Sequence, residues 1–240
     1  MIPGRNQLRA AGCRRRSGKL AIIVTMNHTT EPTPVSLELY GARTGNCLRA
    51  AVGLEEAGLA YTVRHVGLAQ GEQRSAAHLA LNPAGKVPVL VVHSDAGTPE
   101  FVLTQSSAIL FYAADNSPGS LLPLDVGLDR MRVLEAYFYF TSDIIALNGA
   151  AFVLKGQGFA EAATHLTERF SAALEASERF ISPQGFMGGS RFSIADIAAY
   201  TLASAVSSAV PWSRMPRLAD WFALIAQRPA VQRGMAAFGT

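Results

Sequence analysis

The apolar residues in the first part of the chain change between strand-like and helix-like spacing. Residues 37–40 and 61–66 are short segments of the strand type, and residues 46–57 between them carry apolar side chains at helical intervals. Gly58 follows that helix directly, as is typical of a helix end. A strand–helix–strand unit of this kind predicts a parallel pair of strands.

The pattern continues with a short helix, a hairpin and a further helix. We predict the short helix over residues 78–81. Apolar runs at 87–93 and 101–104 flank the polar segment 94–99, which contains Gly and Pro and is therefore typical of a hairpin turn. Residues 106–114 return to helical spacing. The resulting order β-α-β-α-β-β-α is that of a thioredoxin-like domain.

The rest of the chain has only helical periodicity. We expect a linker over residues 116–123, which contain Pro and Gly, and then helices over residues 125–147, 159–180, 193–208 and 217–227. Ser193 and Asp196 are spaced as in a capping box at a helix start. The predicted fold class is therefore α/β plus all-α, with a thioredoxin-like domain at 36–115 and a helical-bundle domain at 124–240.

Composition and charge limit the classes of function. The chain is 49% hydrophobic and 16% charged, which favours a folded protein over a disordered one. Residues 1–34 carry a net charge of +5, so the remaining residues carry −2 of the total of +3. We therefore expect no nucleic-acid partner, and we expect residues 1–35 to be a disordered leader. The apolar run 20–24 within this leader is too short to span a bilayer, so we expect no membrane partner and a cytoplasmic location.

The two cysteines predict neither a disulfide framework nor a metal centre. Cys13 lies in the leader and Cys47 in the first helix, and no Cys or His residues have metal-ligand spacing. We therefore expect no metal cofactor.

The segment 82–90, Asn-Pro-Ala-Gly-Lys-Val-Pro-Val-Leu, carries the first candidate chemistry. Pro88 has no N–H to donate, so it fits the entrance of a strand. If the bond that precedes it is cis, the N–H and C=O of Val87 are free to pair with an extended peptide. Downstream, Gln105 and Ser106 open a helix, whose N-terminus favours an anion. Together these features suggest a small acidic peptide as ligand, with glutathione as the candidate.

The turn before the first helix carries the second candidate chemistry. A thiol with a pKa of about 8.5 is only about 3% ionised at pH 7, so a protein that uses it as a thiolate must stabilise the anion. Thr44 and Asn46 lie at a helix N-terminus and can donate hydrogen bonds to sulfur, although both residue types also serve as simple helix caps. Cys47 at the same helix start can have a depressed pKa, or it can be a small buried residue.

These motifs together resemble the cytosolic glutathione transferases over about residues 36–238. The resemblance is carried by four segments, which are 82–88, 105–109, 193–196 and 217–221 with its continuation at 228–231. Residues 40–46, taken with Gly71, Glu72 and Gln73, look most like the bacterial nu-type subgroup, whose members are disulfide-bond reductases.

The resemblance implies an enzyme that uses glutathione as co-substrate and stabilises its thiolate. Thr44 and Asn46 would contact the sulfur, with Cys47 as an alternative activator. Val87, followed by Pro88, would pair with the cysteinyl backbone of glutathione.

The resemblance also implies how the two ends of glutathione are held. Gln105 and Ser106 would bind the γ-glutamyl end, and Lys86 and Gln73 would reach the glycyl carboxylate. Gln105 departs from the family pattern, which has an acidic residue there, so charge pairing with the γ-glutamyl ammonium is lost.

Several functions remain open at this point. The resemblance implies a detoxifying transferase or disulfide-bond oxidoreductase that attacks hydrophobic electrophiles or disulfides, and that forms a homodimer. An isomerase of the maleylacetoacetate isomerase type is an alternative, with Arg49 after the Cys47 turn as its one hint. A non-catalytic scaffold protein is the other alternative. Arg49 itself is expected to be a surface or interdomain charge.

Overall fold

The structure is a computed structural model, and it describes residues 36–93 and 99–239. The leader 1–35 and residues 94–98 of the predicted hairpin turn lie outside the described residues. The N-terminal part consists of β1 Ser36–Gly41, α1 Gly45–Glu56, β2 Thr62–His65, α2 Ala76–Leu81, β3 Val89–His93, β4 Pro99–Leu103 and α3 Ser106–Asp115. The predicted β-α-β-α-β-β-α order is confirmed, with one added 3₁₀ turn at Glu72–Arg74.

The four strands form one mixed sheet in the order β2-β1-β3-β4. The β1–β2 pair is parallel, as predicted, and the other two pairs are antiparallel. Tyr40 at the end of β1 is opposite Val89 at the start of β3. This register places the turn that follows β1 beside the segment that enters β3.

The C-terminal part is helical. It consists of α4 Leu128–Phe138, a π-helical segment Tyr139–Ile145, α5 Ala146–Gly156, α6 Ala160–Ala176, α7 Ile194–Ala205, α8 Pro216–Ala226 and α9 Pro229–Ala236. The predicted helix 125–147 is in fact continuous to Gly156, because the apolar residues after 147 keep the helical period. Helix α9 lies beyond the last predicted helix, 217–227. Pro229 occupies the first turn of α9, where a missing N–H is tolerated.

The continuous helix Leu128–Gly156 is long and apolar enough, by length and composition alone, to cross a membrane. The prediction of no membrane partner rested on the apolar run 20–24. However, Tyr137, Phe140 and Ile144 of this helix are buried in the hydrophobic core, and the helix packs on α6 and α7. Only 22% of its most apolar stretch is buried, so one face of this helix belongs to the core and much of the rest is exposed.

Helix α7 is the centre of the helical part, because ten consecutive residues, Ile194–Ala203, are buried. The predicted capping box is confirmed, since Ser193 Oγ accepts from Ala195 N–H at 3.2 Å and Asp196 Oδ2 accepts from Ser193 N–H at 2.9 Å. Asp196 Oδ1 also accepts hydrogen bonds from Met187 N–H and Trp221 Nε1–H, both at 2.8 Å. Burial raises the pKa of the Asp196 carboxyl to about 7, while these donors favour the ionised form.

Helices α1 and α9 cross at very short distance. A Cβ atom added at Gly234 of α9 would lie 2.6 Å from Cα and 2.7 Å from N of Val52 in α1. Beyond α9, Phe238 packs against Gly41, the last residue of β1. The C-terminal end of the chain therefore supports the helix and the turn that carry the candidate sulfur site.

Candidate functional site

Three segments of the N-terminal part meet at one end of the sheet. They are the turn between β1 and α1, the Val87–Pro88 segment before β3, and the start of α3 after β4. A hydrogen bond from Arg49 Nη1 to Ser106 Oγ, 3.0 Å long, ties α1 to α3 at this place. The structure thus brings together sequence-predicted residues that lie about 60 positions apart in the chain.

The Val87–Pro88 peptide bond is cis. Pro88 is buried and Val87 is half-buried. Within the described residues, neither the N–H nor the C=O of Val87 makes a hydrogen bond. Both backbone groups are therefore available to an extended peptide, which can bind by strand-like pairing.

Two buried side chains fix the loop that precedes Val87. The carbonyl of Lys86 accepts a hydrogen bond from Asn82 Nδ2 at 2.7 Å and lies 3.1 Å from His78 Nε2. His78 and Asn82 are four residues apart, on and just beyond α2, and both are buried. The sequence reasoning assigned no role to His78; its helical spacing from Asn82 is the signal that indicates one.

Gln73 and Lys86 lie near the same end of this loop. A Cβ atom added at Gly85, which has φ +61°, would be 3.2 Å from the backbone carbonyl oxygen of Gln73. Gln73 Oε1 is buried without a hydrogen-bond partner among the described residues, and Lys86 is exposed. The two residues that the resemblance assigns to the glycyl carboxylate of glutathione therefore belong to segments that contact each other at Gly85.

The N-terminus of α3 has free hydrogen-bond donors. Its N-cap residue, Gln105, is exposed and makes no side-chain cap, and the first turn contains no acidic residue. Ser106 is 9% exposed, and its Oγ accepts the hydrogen bond from Arg49, while its hydroxyl proton has no acceptor among the described residues. This arrangement favours an anion.

The N-terminus of α1 offers two further polar side chains. Thr44 is the N-cap residue and its hydroxyl oxygen accepts weakly from Cys47 N–H at 3.4 Å. Asn46 is exposed, and its Oδ1 accepts from Arg49 Nη1 at 2.8 Å, which leaves its amide N–H groups free among the described residues. Both side chains can therefore donate a hydrogen bond to an anionic sulfur.

Cys47 has a different environment from Thr44 and Asn46. Its side chain is fully buried, next to Gly41. Burial raises the pKa of the Cys47 thiol, and the hydrogen bonds from Thr44 and Ala42 only partly offset this effect. A buried neutral thiol is a poor nucleophile, so of the two interpretations left open by the sequence, the geometry favours the small buried residue.

Arg49 is not the surface charge that we expected from the sequence. It is 3% exposed, and no carboxylate among the described residues pairs with it. Burial lowers the pKa of Arg49 to about 10, so it stays charged at neutral pH. Arg49 lies in a run of buried α1 residues, from Cys47 to Leu54, and this burial comes from the packing of the helix in the fold.

The described residues contain no group of three or more His, Cys, Asp or Glu side chains placed to hold a metal ion. A cavity of about 740 Å³ lies elsewhere, between the linker and residues 189–193, and none of the predicted site residues lines it. Peptide pairing at Val87 needs an accessible backbone edge, not a deep cavity.

Two family models match the chain, the glutathione S-transferase N-terminal domain over residues 35–115 and the glutathione S-transferase C-terminal domain over residues 160–224. The chain is 30% identical to glutathione S-transferase 3 of Zea mays, over 84% of this chain and 94% of that protein. It is 28% identical to the disulfide-bond oxidoreductase YfcG of Escherichia coli (strain K12), over 83% of this chain and 94% of that protein.

A solved structure supports the same relationship. The glutathione transferase from Pseudomonas putida, with one glutathione disulfide bound per subunit, superposes with a TM-score of 0.71 at 25% identity, over 83% of this chain and 90% of that chain. The predicted fold class, a thioredoxin-like part followed by a helical part, is confirmed. Sequence and fold agree over most of the chain, which therefore belongs to the glutathione S-transferase family.

Proposed function

We propose that the chain is an enzyme that binds glutathione where β1, β3 and α3 meet and uses its thiolate to attack electrophilic or disulfide substrates. The observation that carries this proposal is the convergence of an unpaired backbone at Val87 with the N-termini of α1 and α3. The first feature suits the peptide bonds of glutathione, and the two helix termini suit its anionic groups.

The γ-glutamyl carboxylate is proposed to bind at Ser106 and the free N–H groups of α3, with Gln105 at the edge of the site. The glycyl carboxylate is proposed to lie near Lys86 and Gln73. The Val87 N–H and C=O then pair with the cysteinyl residue between them. This order matches the order of the three residues in glutathione.

The sulfur of glutathione is proposed to lie at Thr44 and Asn46. Lowering its pKa from about 8.5 to about 6.5 would raise the thiolate fraction at pH 7 from about 3% to about 75%, a difference of about 2.7 kcal/mol. Two side-chain hydrogen bonds and the positive end of α1 are together of the size needed.

Disulfide reduction needs no protein thiol in this scheme. The glutathione thiolate attacks one sulfur of the substrate disulfide, forms a mixed disulfide and releases the other sulfur as a thiolate, which takes up a proton. A second glutathione thiolate attacks the glutathione sulfur of the mixed disulfide, giving glutathione disulfide and the second substrate thiol. The E. coli relative named as a disulfide-bond oxidoreductase supports including this reaction.

Replacement of Thr44 tests the proposed sulfur contact. Thr44→Val removes the hydroxyl, so the pKa of bound glutathione should rise by about one unit and kcat/KM should fall about tenfold at a pH below both pKa values. Thr44→Ser keeps the hydroxyl and should behave like the wild type. The measurements are glutathione binding by calorimetry, thiolate absorbance against pH, and turnover with an aryl halide and with a small disulfide. A wild-type protein that neither binds nor turns over glutathione would refute the proposal.

Replacement of Cys47 separates the two sulfur mechanisms. Cys47→Ala should keep full disulfide reductase activity, because the thiol is buried and its pKa is raised. Activity is measured with a small disulfide and glutathione, after thermal unfolding has shown that the variant is folded. Complete loss of reductase activity in a folded variant would mean that Cys47 takes part in the reaction.

Association and the second substrate are further parts of the proposal. Phe101, Phe138 and Phe152 are more than half exposed. We propose that they serve a homodimer contact or the hydrophobic substrate. A cytoplasmic location, a detoxification role, and the isomerase and scaffold alternatives stay predictions.

A further inference from the structure

The guanidinium group of Arg49 contacts both halves of the candidate site, which are the N-terminus of α1 and the N-terminus of α3. We call these the two half-sites. Arg49 Nη1 donates to Asn46 Oδ1 at 2.8 Å and to Ser106 Oγ at 3.0 Å. Asn46 belongs to the N-terminus of α1 and Ser106 to that of α3. In the proposed function these residues hold opposite parts of glutathione, the thiol and the γ-glutamyl carboxylate.

The charge of Arg49 is buried and has no anionic partner among the described residues. The side chain is 3% exposed, its two hydrogen-bond acceptors are neutral, and its Nε has no partner there. The titratable groups that influence it most are Tyr137 and Cys47, which are uncharged at neutral pH. A buried cation without an anion is unfavourable, so an anionic ligand bound close to Arg49 would be stabilised by its charge.

We propose that Arg49 is a positioning residue that holds Asn46 and Ser106 in place together and supplies the positive charge that bound glutathione balances. This inference rests on the proposed function. Arg49 affects both the γ-glutamyl carboxylate and the thiolate of glutathione. It does so indirectly, by holding Asn46 and Ser106 and through the electrostatic field of its charge.

The proposal predicts a pattern that separates Arg49 from its neighbours. Loss of the Thr44 hydroxyl should raise the pKa of the bound glutathione thiol. It should not weaken the binding of S-methylglutathione, which has no thiol. Loss of the Ser106 hydroxyl should weaken the binding of glutathione and of S-methylglutathione equally, and it should leave the pKa of the bound glutathione thiol unchanged. Loss of Arg49 should do both, because one side chain supports both half-sites.

The test uses Arg49→Met in the full-length chain. Calorimetry gives the Kd values of glutathione and S-methylglutathione, and thiolate absorbance gives the pKa of bound glutathione. We expect both Kd values to rise about tenfold, as for the loss of one hydrogen bond to a charged group, and the thiol pKa to rise by about one unit. Arg233→Met is the matched control. Arg233 is exposed and its Nε lies 2.7 Å from Glu55 Oε2, in a pair that is remote from the site. This variant should change neither the Kd values nor the thiol pKa.

The outcomes distinguish this inference from the proposed function. A wild-type protein that does not bind glutathione refutes the proposed function, and this inference with it. A wild-type protein that binds glutathione, with a folded Arg49→Met variant whose Kd or thiol pKa is unchanged, overturns only the role of Arg49. If Arg49→Met does not fold, Arg49→Lys decides: it keeps the charge but has a shorter reach, so both Kd values should rise about threefold, and unchanged values overturn the inference.

Discussion

Asp196→Ala is expected to lower the free energy of unfolding by about 3–5 kcal/mol, the largest loss expected from any single change considered for this chain. The carboxylate is fully buried and accepts hydrogen bonds from Met187 N–H, Trp221 Nε1–H and the N–H and hydroxyl of Ser193. Its removal leaves three buried N–H donors without an acceptor, and each such donor costs about 1–3 kcal/mol. The measurement is equilibrium unfolding in urea, followed by two spectroscopic probes to test two-state behaviour.

Two further variants show where this loss comes from. Ser193→Ala removes the cap to Ala195 N–H and the hydroxyl donor to Asp196 Oδ2 but keeps the contacts of Asp196 to Met187 and Trp221, so it should cost about 0.5–2 kcal/mol. Asp220→Ala changes an exposed carboxylate of α8 and should stay within about 0.5 kcal/mol of the wild type. If Asp196→Ala cost no more than Ser193→Ala, the contacts to Met187 and Trp221 would contribute nothing, contrary to our expectation.

Gly234→Ala is expected to lower the free energy of unfolding by about 2–3 kcal/mol. In most helices this substitution stabilises by up to about 1 kcal/mol, but here the new Cβ would lie 2.6 Å from Cα of Val52. Backbone atoms cannot move aside as a side-chain end can, so α1 and α9 must separate, and overpacking of this kind typically costs about 1–3 kcal/mol. Thermal unfolding measures the change.

Gly149→Ala is the matched control for Gly234→Ala. Gly149 is an exposed residue of α5, and a Cβ atom there would meet nothing within 4 Å. This variant should be as stable as the wild type or up to about 1 kcal/mol more stable. The Gly234→Ala variant should also lose part of its glutathione affinity, because α1 carries Thr44 and Asn46 at its start. Equal stability of the two variants would contradict the steric argument.

Local patterns were enough to predict most of the fold. The change from strand to helical spacing, the Gly and Pro positions at the breaks and the Ser193–Asp196 spacing are all properties of short segments. The same holds for the three segments of the candidate site, each of which has a strand or helix terminus that can be recognised on its own. The sequence motifs suggested that the Val87 and Gln105–Ser106 segments serve one peptide ligand, and the family resemblance added the Thr44–Asn46 turn to the same site. No local pattern alone encodes contacts between distant residues.

The parts that the sequence did not predict depend on tertiary packing. Whether Arg49 faces solvent or the interior depends on which side of α1 meets α3, and whether Cys47 is accessible depends on the packing around Gly41. Helix α9 was missed because Pro229 is equally compatible with the end of one helix and the start of the next. In each case the competing interpretations have similar local energies, so the rest of the fold decides between them.

The burial of Cys47 also protects the protein from chemical inactivation by reactive substrates. Electrophiles and disulfides react with any accessible thiolate. An enzyme that binds them near an accessible cysteine of its own therefore risks alkylation or oxidation of that cysteine. Here the one cysteine within the described residues is screened from solvent and is held in its less reactive protonated form. In the proposed function the reactive sulfur belongs to glutathione, which leaves after each turnover, so a damaged molecule is replaced without loss of the protein.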